Sequence, residues 1–166
     1  AFGFEERVRI GDDHRAQPGA VAITQTTELG TCYTLEELRK IGDFCRASDL
    51  GLYIDGARLA NAAAFLDCSL ADLAECADVL SFGGTKNGMM FGEAVVLFNK
   101  NRSEEFKYIR KQGSHLASKM RFIAAQFEAM LSGNLWRRGP EHANRMAKLL
   151  AYELVTGRKP FLAEHV

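Results

Sequence analysis

The chain has 166 residues, 47% hydrophobic and 25% charged, a composition that gives room for a sizeable core and excludes an intrinsically disordered chain. Its 21 Lys and Arg balance 21 Asp and Glu, so no long-range field favours nucleic acid or an anionic membrane as a partner. No apolar run approaches the roughly 20 residues of a membrane span and no basic-then-apolar leader opens the chain, so a cytoplasmic protein is expected.

Residues 1–20 are polar and mixed, with Gly11, Asp12, Asp13, His14, Pro18 and Gly19 marking a connecting segment. Val21-Ala22-Ile23-Thr24 reads as a short strand and is followed by a polar loop from Gln25 to Gly30. Thr34-Leu35-Glu36-Glu37 is a capping box, and Leu35, Leu38, Ile41, Phe44 and Cys45 fall on one face of the helix it opens. That helix is expected to end near Leu50-Gly51, with Gly51 as its C-cap. Leu52 to Ile54 then returns as a strand, and strand, helix, strand makes a parallel pair covered by helices. Beyond Ile54 stand Asp55, Gly56 and Arg58, a carboxylate and a guanidinium separated by a residue that permits a tight turn.

Leu59 to Phe65 is alanine-rich and helical in propensity, and Ser69-Leu70-Ala71-Asp72 caps a second short helix expected to reach Ala77. Val79 to Phe82 is the third strand. It leads into Ser81-Phe82-Gly83-Gly84-Thr85-Lys86-Asn87-Gly88, which sets Lys86 in a glycine-bounded turn at a strand end, where open α/β sheets place their ligands. Ala94 to Phe98 is a continuous apolar strand and is expected to be buried.

From Ser103 to Leu131 the period is helical, with Phe106, Ile109, Leu116, Met120, Ile123 and Phe127 in one stripe. Its basic flank of Lys107, Arg110, Lys111, Lys119 and Arg121 reads as a solvated face. Ser132-Gly133 breaks the helix, Pro140 opens another from Glu141 to Val155, and Thr156 to Pro160 reads as a hinge. Cys32, Cys45, Cys68 and Cys76 match neither a zinc pattern nor a redox pair and are expected as buried free thiols, and no metal site is expected.

Two strand ends therefore offer Asp55, Arg58 and Lys86 together. A lysine amine condenses with a carbonyl to an imine, and pyridoxal phosphate offers that carbonyl. Its ring withdraws electrons strongly only while the pyridine nitrogen keeps its proton, which a carboxylate such as Asp55 secures. Arg58 presents a fork for a carboxylate or for cofactor oxygens. Taken one by one, the same residues also read as ordinary surface turns.

Three runs in order carry a more specific signal: Thr27-Glu28-Leu29-Gly30-Thr31-Cys32-Tyr33-Thr34, then Ile54-Asp55-Gly56-Ala57-Arg58-Leu59-Ala60-Asn61-Ala62, then Asp78 to Gly88. With Ser118-Lys119-Met120-Arg121-Phe122 downstream, they resemble the low-specificity threonine aldolases, of the β-eliminating lyase branch of the aspartate-aminotransferase fold, also called fold type I. The resemblance implies an α/β fold with a mostly parallel sheet and flanking helices. Residues 1–133 would form part of the cofactor-binding large domain, and residues 134–166 a helical linker toward a small domain.

It further implies that Lys86 binds pyridoxal phosphate covalently, that Asp55 partners the pyridine nitrogen, and that Arg58 helps hold the substrate carboxylate. His14, within Asp13-His14-Arg15, matches a histidine near the substrate hydroxyl. The implied reaction cleaves a β-hydroxy-α-amino acid such as L-threonine or L-allo-threonine to glycine and an aldehyde. Members of the family are longer than this chain. A phosphate-binding glycine turn and a ring-stacking histidine are expected upstream of it, and a second carboxylate arginine downstream. The chain alone is accordingly expected to be inactive or nearly so. A site built between subunits implies a homodimer or homotetramer. Two rival readings are β-elimination from an aromatic amino acid, as in relatives of tyrosine phenol-lyase and tryptophanase, and a non-catalytic α/β assembly unit.

Overall fold

A computed structural model describes residues 11–98 and 103–157. The elements in order are β1 (Ala20–Thr24), α1 (Leu35–Ala47), β2 (Gly51–Gly56), α2 (Leu59–Leu66), α3 (Leu70–Ala74), β3 (Val79–Gly83), β4 (Glu93–Leu97), α4 (Phe106–Gln112), α5 (Arg121–Leu131) and α6 (Leu135–Val155). Single 3-10 turns cover Thr85–Asn87 and Ser132–Asn134. The four strands form one sheet in the order β1-β2-β3-β4. The first three run parallel, with Thr24 beside Asp55 and Asp55 beside Ser81, while β4 runs antiparallel to β3.

Local chemistry explains most of this. The hydroxyl of Thr34 accepts from the Glu37 amide, and the Glu37 carboxylate accepts from the Thr34 amide at 2.8 Å, so the capping box starts α1 where the sequence places it. The Thr34 amide, with the Thr34 hydroxyl also donating to Glu37 Oε2 at 2.9 Å, holds the Glu37 carboxyl below its ordinary value. Ser69 and Asp72 repeat the device at α3. Alternation along the strands then decides the layers. Leu52, Ile54, Leu80 and Phe82 point to one face of the sheet and close a core with Leu38 and Cys45 of α1, Leu59, Ala62 and Ala63 of α2, and Leu73 of α3. Burying one such leucine stabilises the fold by about 1.5–3 kcal/mol, so this face carries the sheet. Tyr53, Asp55, Val79, Ser81, Glu93 and Val95 point to the other face, which is more open.

Several expectations need correction. α1 ends at Ala47 with Ser48 as its C-cap and Asp49 in the left-handed region at φ 53°, and Gly51 is the first residue of β2 rather than a cap. α3 stops at Ala74, short of Ala77. The apolar strand β4 is not buried: as the antiparallel edge it leaves Val95 and Val96 exposed, along with Phe98 beyond its end. The helix expected from Ser103 to Leu131 is two, because the backbone turns left-handed at Ser114 (φ 59°) and Lys119 (φ 60°). The last helix starts at Leu135 and carries Pro140 inside it. Of the hinge from Thr156 to Pro160, residues 158–160 lie outside the described residues.

Of the four cysteines, Cys45 is buried and the others are half-buried, all as free thiols. Burial, with Cys68 nearby, pushes the Cys32 thiol up to about 11, so it stays un-ionised and unreactive at neutral pH. No group of His, Cys, Asp and Glu among the described residues is placed to hold a metal ion, and no described helix is long and apolar enough to cross a membrane.

Candidate active site

The site grows from two adjacent parallel strands that end at the same edge of the sheet. β2 delivers Asp55 directly beside Ser81 of β3, and five residues after Ser81 the chain reaches Lys86. Two close approaches bring the turns that follow these strands together. A Cβ on Gly83 would lie 2.8 Å from the Ala57 Cα, and one on Gly56 would lie 2.6 Å from the Ser81 carbonyl oxygen. Only hydrogen fits at either position, so the Asp55–Arg58 turn lies across the end of β3.

Each side chain has a defined setting. The Ala57 amide donates to Asp55 Oδ1 at 3.0 Å, which fixes the carboxylate over its own turn and leaves Oδ2 without a hydrogen-bond partner among the described residues. Arg58 is half-buried, and its Nη1 donates to the exposed Glu28 carboxylate at 3.1 Å. Glu28 belongs to a loop built around the buried Gln25, whose Nε2 donates to the Tyr33 carbonyl at 2.8 Å and whose Oε1 accepts from the Tyr33 amide at 3.0 Å. Lys86 is exposed on its turn.

Sequence reasoning missed a third carboxyl here. Glu93 pairs with Gly83 across β3 and β4, one step along the same face from the row containing Asp55, Ser81 and Val95. Partial burial raises its carboxyl above the ordinary range and the Asp55 charge adds to the shift, while the Ser81 hydroxyl and the Lys86 charge pull it back. The Tyr53 hydroxyl donates to Ser81 Oγ at 3.0 Å on the same face. Nothing in the sequence marks Glu93, because only the antiparallel register turns it toward Asp55.

His14 is not brought to this cluster within one chain. It is 90% exposed beside Asp13 and lies in the segment that enters β1, at the amino ends of the parallel strands. Lys86 and Asp55 are at the carboxyl ends, and five residues of β1 span about 16 Å.

A cavity of about 480 Å³ does not contain Asp55 or Arg58. It lies behind the lysine turn, between Lys86, Asn87 and Met89 on one side and Met130, Leu135 and Pro140 on the other. Asp55 and Arg58 stand outside that cavity, at the carboxyl end of β2, and Lys86 lines it. An aldehyde cofactor with a pyridine ring fits this donor set, with Lys86 for the carbonyl carbon and the free Oδ2 of Asp55 for the ring nitrogen.

Comparison with known proteins agrees with the geometry. The chain is 51% identical over 146 residues to the low-specificity L-threonine aldolase of Pseudomonas aeruginosa, an alignment covering 87% of this chain and 42% of that protein. It is 48% identical over 149 residues to the same-named enzyme of another Pseudomonas species, covering 89% and 43%. Among solved structures it is similar to a threonine aldolase of Leishmania major, with a TM-score of 0.87 and 36% identity over 92% of this chain and 45% of that one. The chain thus spans less than half the length of the curated relatives it matches. The family description of beta-eliminating lyases matches residues 3–164, and the chain belongs to that family.

Proposed function

We propose that this chain is the lysine-bearing part of a pyridoxal-phosphate-dependent carbon–carbon lyase that cleaves L-threonine, L-allo-threonine and other β-hydroxy-α-amino acids to glycine and an aldehyde. The observation that carries the reading is the placement of Asp55 near the carboxyl end of β2 and of Lys86 on the turn that follows the neighbouring parallel strand β3, with Arg58 three residues after Asp55. The cofactor, when bound, supplies the electron sink that bond cleavage next to an amino group requires. The Lys86 amine offers the covalent attachment. Asp55, steadied by the Ala57 amide, holds a proton at the ring nitrogen through its free oxygen.

Arg58 binds the substrate carboxylate, which first displaces Glu28. That exchange is easy, because a solvent-exposed pair contributes only about 0–1 kcal/mol whereas a carboxylate bound through both oxygens gains more. Glu93 is a protonatable carboxyl on which the Lys86 charge acts. His14 serves the substrate hydroxyl only if a second copy of the chain brings it, which accords with a homodimer or homotetramer acting in the cytoplasm.

An absorbance spectrum with pyridoxal phosphate, recorded beside Lys86→Ala, tests the assignment. A band near the visible edge that disappears in the variant is expected, together with aldehyde and glycine release from threonine once the phosphate-binding portion of the family is supplied. Absence of any Lys86-dependent band would refute the cofactor reading. Pyruvate release from an aromatic amino acid in place of acetaldehyde from threonine would move the enzyme to the β-elimination reaction.

A further inference from the structure

Pro140 sits inside α6, five residues after its first residue, Leu135. A proline has no amide hydrogen, so the carbonyl four residues earlier, that of Trp136, loses its helical donor. In this protein that carbonyl is not left bare. The side-chain amide of Asn87 donates to it from Nδ2 at 3.1 Å, across 49 residues of chain. Asn87 is the residue next to Lys86 and closes the 3-10 turn that carries it. The fit is close on both sides. A Cβ on Gly139 would lie 3.8 Å from Asn87 Oδ1, and that oxygen is buried with no hydrogen-bond partner, so the Trp136 carbonyl is the contact that orients the amide.

We propose that Asn87 is a positioning residue for Lys86: its amide supplies the donor that Pro140 withholds from Trp136, and so pins the lysine turn to α6. The inference rests on the reading of Lys86 as the cofactor-binding lysine. Its physical content is a complementary pair, in which the helix lacks one donor and the catalytic turn provides one. Asn87 N and Met89 N donate to the Gly84 carbonyl and Gly84 N to the Gly92 carbonyl, bonds that shape the turn without joining it to α6. Just beyond the turn, Met90 N donates to Gln126 Oε1 of α5 at 2.9 Å, so Asn87 is the tie to α6 and Met90 the tie to α5.

The test is a double-mutant cycle with two readouts. The chain and the variants Asn87→Ala, Asn87→Asp, Pro140→Ala and Asn87→Ala/Pro140→Ala are exposed to pyridoxal phosphate, and imines are trapped with borohydride. Peptide mass spectrometry then gives the rate at Lys86 relative to the other lysines, and thermal melts are recorded in parallel. Asn87→Ala is expected to lower the melting temperature and to slow trapping at Lys86 about 10-fold or more, since misplacement of a reacting group by an ångström is that costly. Asn87→Asp keeps the shape but cannot donate, and is expected to behave like Asn87→Ala.

Pro140→Ala restores an amide hydrogen to the helix. It should therefore stabilise the Asn87→Ala background more than the unaltered chain, without restoring the rate at Lys86. The proposal is overturned if Asn87→Ala leaves trapping at Lys86 unchanged, or if Pro140→Ala stabilises both backgrounds equally. If Lys86 in the unaltered chain is trapped no faster than surface lysines, the cofactor assignment fails instead. The melts then decide independently whether Asn87 caps Trp136.

Discussion

At the scale of single residues the site is an exercise in charge balance. Asp55 and Glu93 share one face of the sheet, and the charges of Asp55 and Lys86 act on Glu93 in opposite senses. Burial and Asp55 raise the Glu93 carboxyl above its ordinary value, so the folded protein binds a proton there that the unfolded chain has already released. The sign follows directly. Stability from this group is fully present below the ordinary glutamate range and falls as pH rises through the window up to the raised value. Glu93→Gln, which cannot ionise, is expected to remove that fall, so its melting temperature exceeds that of the unaltered chain at neutral pH and the difference shrinks in acid. Melts at a series of pH values check this, and equal pH dependence in the two proteins would show that Glu93 titrates normally. The same residue shows the limit of sequence reading. The strand-end positions of Lys86, Asp55 and Arg58 are legible because glycine turns after apolar runs announce strand ends. Glu93 is not, since its partner Gly83 and the face it occupies are set by a long-range antiparallel register.

At the scale of elements, capping chemistry and periodicity found the starts of α1 and α3 and the first three strands, because those signals are local. What failed was non-local. Nothing within Ala94 to Phe98 distinguishes an edge strand from a central one, and among the described residues no further strand pairs with it. Pro140 read as a helix start because proline usually is one. Its place inside α6 depends on the helical layer and on Asn87. The turns at the site depend on contact between elements as well. Gly83 has room for hydrogen only, because the backbone of Ala57 crosses it at a distance that would put a Cβ 2.8 Å from the Ala57 Cα. Gly83→Ala must therefore push the Asp55–Arg58 turn away from β3. We expect a loss of about 1–3 kcal/mol, in the range of overpacking substitutions, and weaker pyridoxal phosphate uptake. A melt and an absorbance titration measure the two effects. Unchanged values in both would mean that the turns do not depend on each other.

At the scale of the whole molecule, α6 joins the distant parts of the chain. It lies along α2, where Asn61 Nδ2 donates to Asn144 Oδ1 at 3.2 Å and Asn144 Nδ2 donates to the Asn61 carbonyl at 3.0 Å. Arg137 binds Asp67, just past the end of α2, and Glu141 one turn further along α6 at 2.9 Å. α2 begins at Leu59, immediately after Arg58, so the helix that docks α6 is also the one that follows the arginine turn. In the second half of α6, Lys148 lies over the Phe65 ring of α2 at 5.6 Å, while Leu149, Leu150, Tyr152 and Leu154 are exposed. The first half should therefore open as a unit when its paired amides are cut. Asn144→Ala leaves the half-buried Asn61 side chain and carbonyl without partners, a loss of about 1–3 kcal/mol. For a chain of this size that lowers the melting temperature by roughly 2–10 °C. Hydrogen exchange should show faster exchange through Leu135–Val155 while the amides of β2 and β3, held by the core, keep their protection. Uniform acceleration across both layers would show instead that α6 and the sheet unfold together. No change in α6 would show that the amide pair contributes nothing to docking.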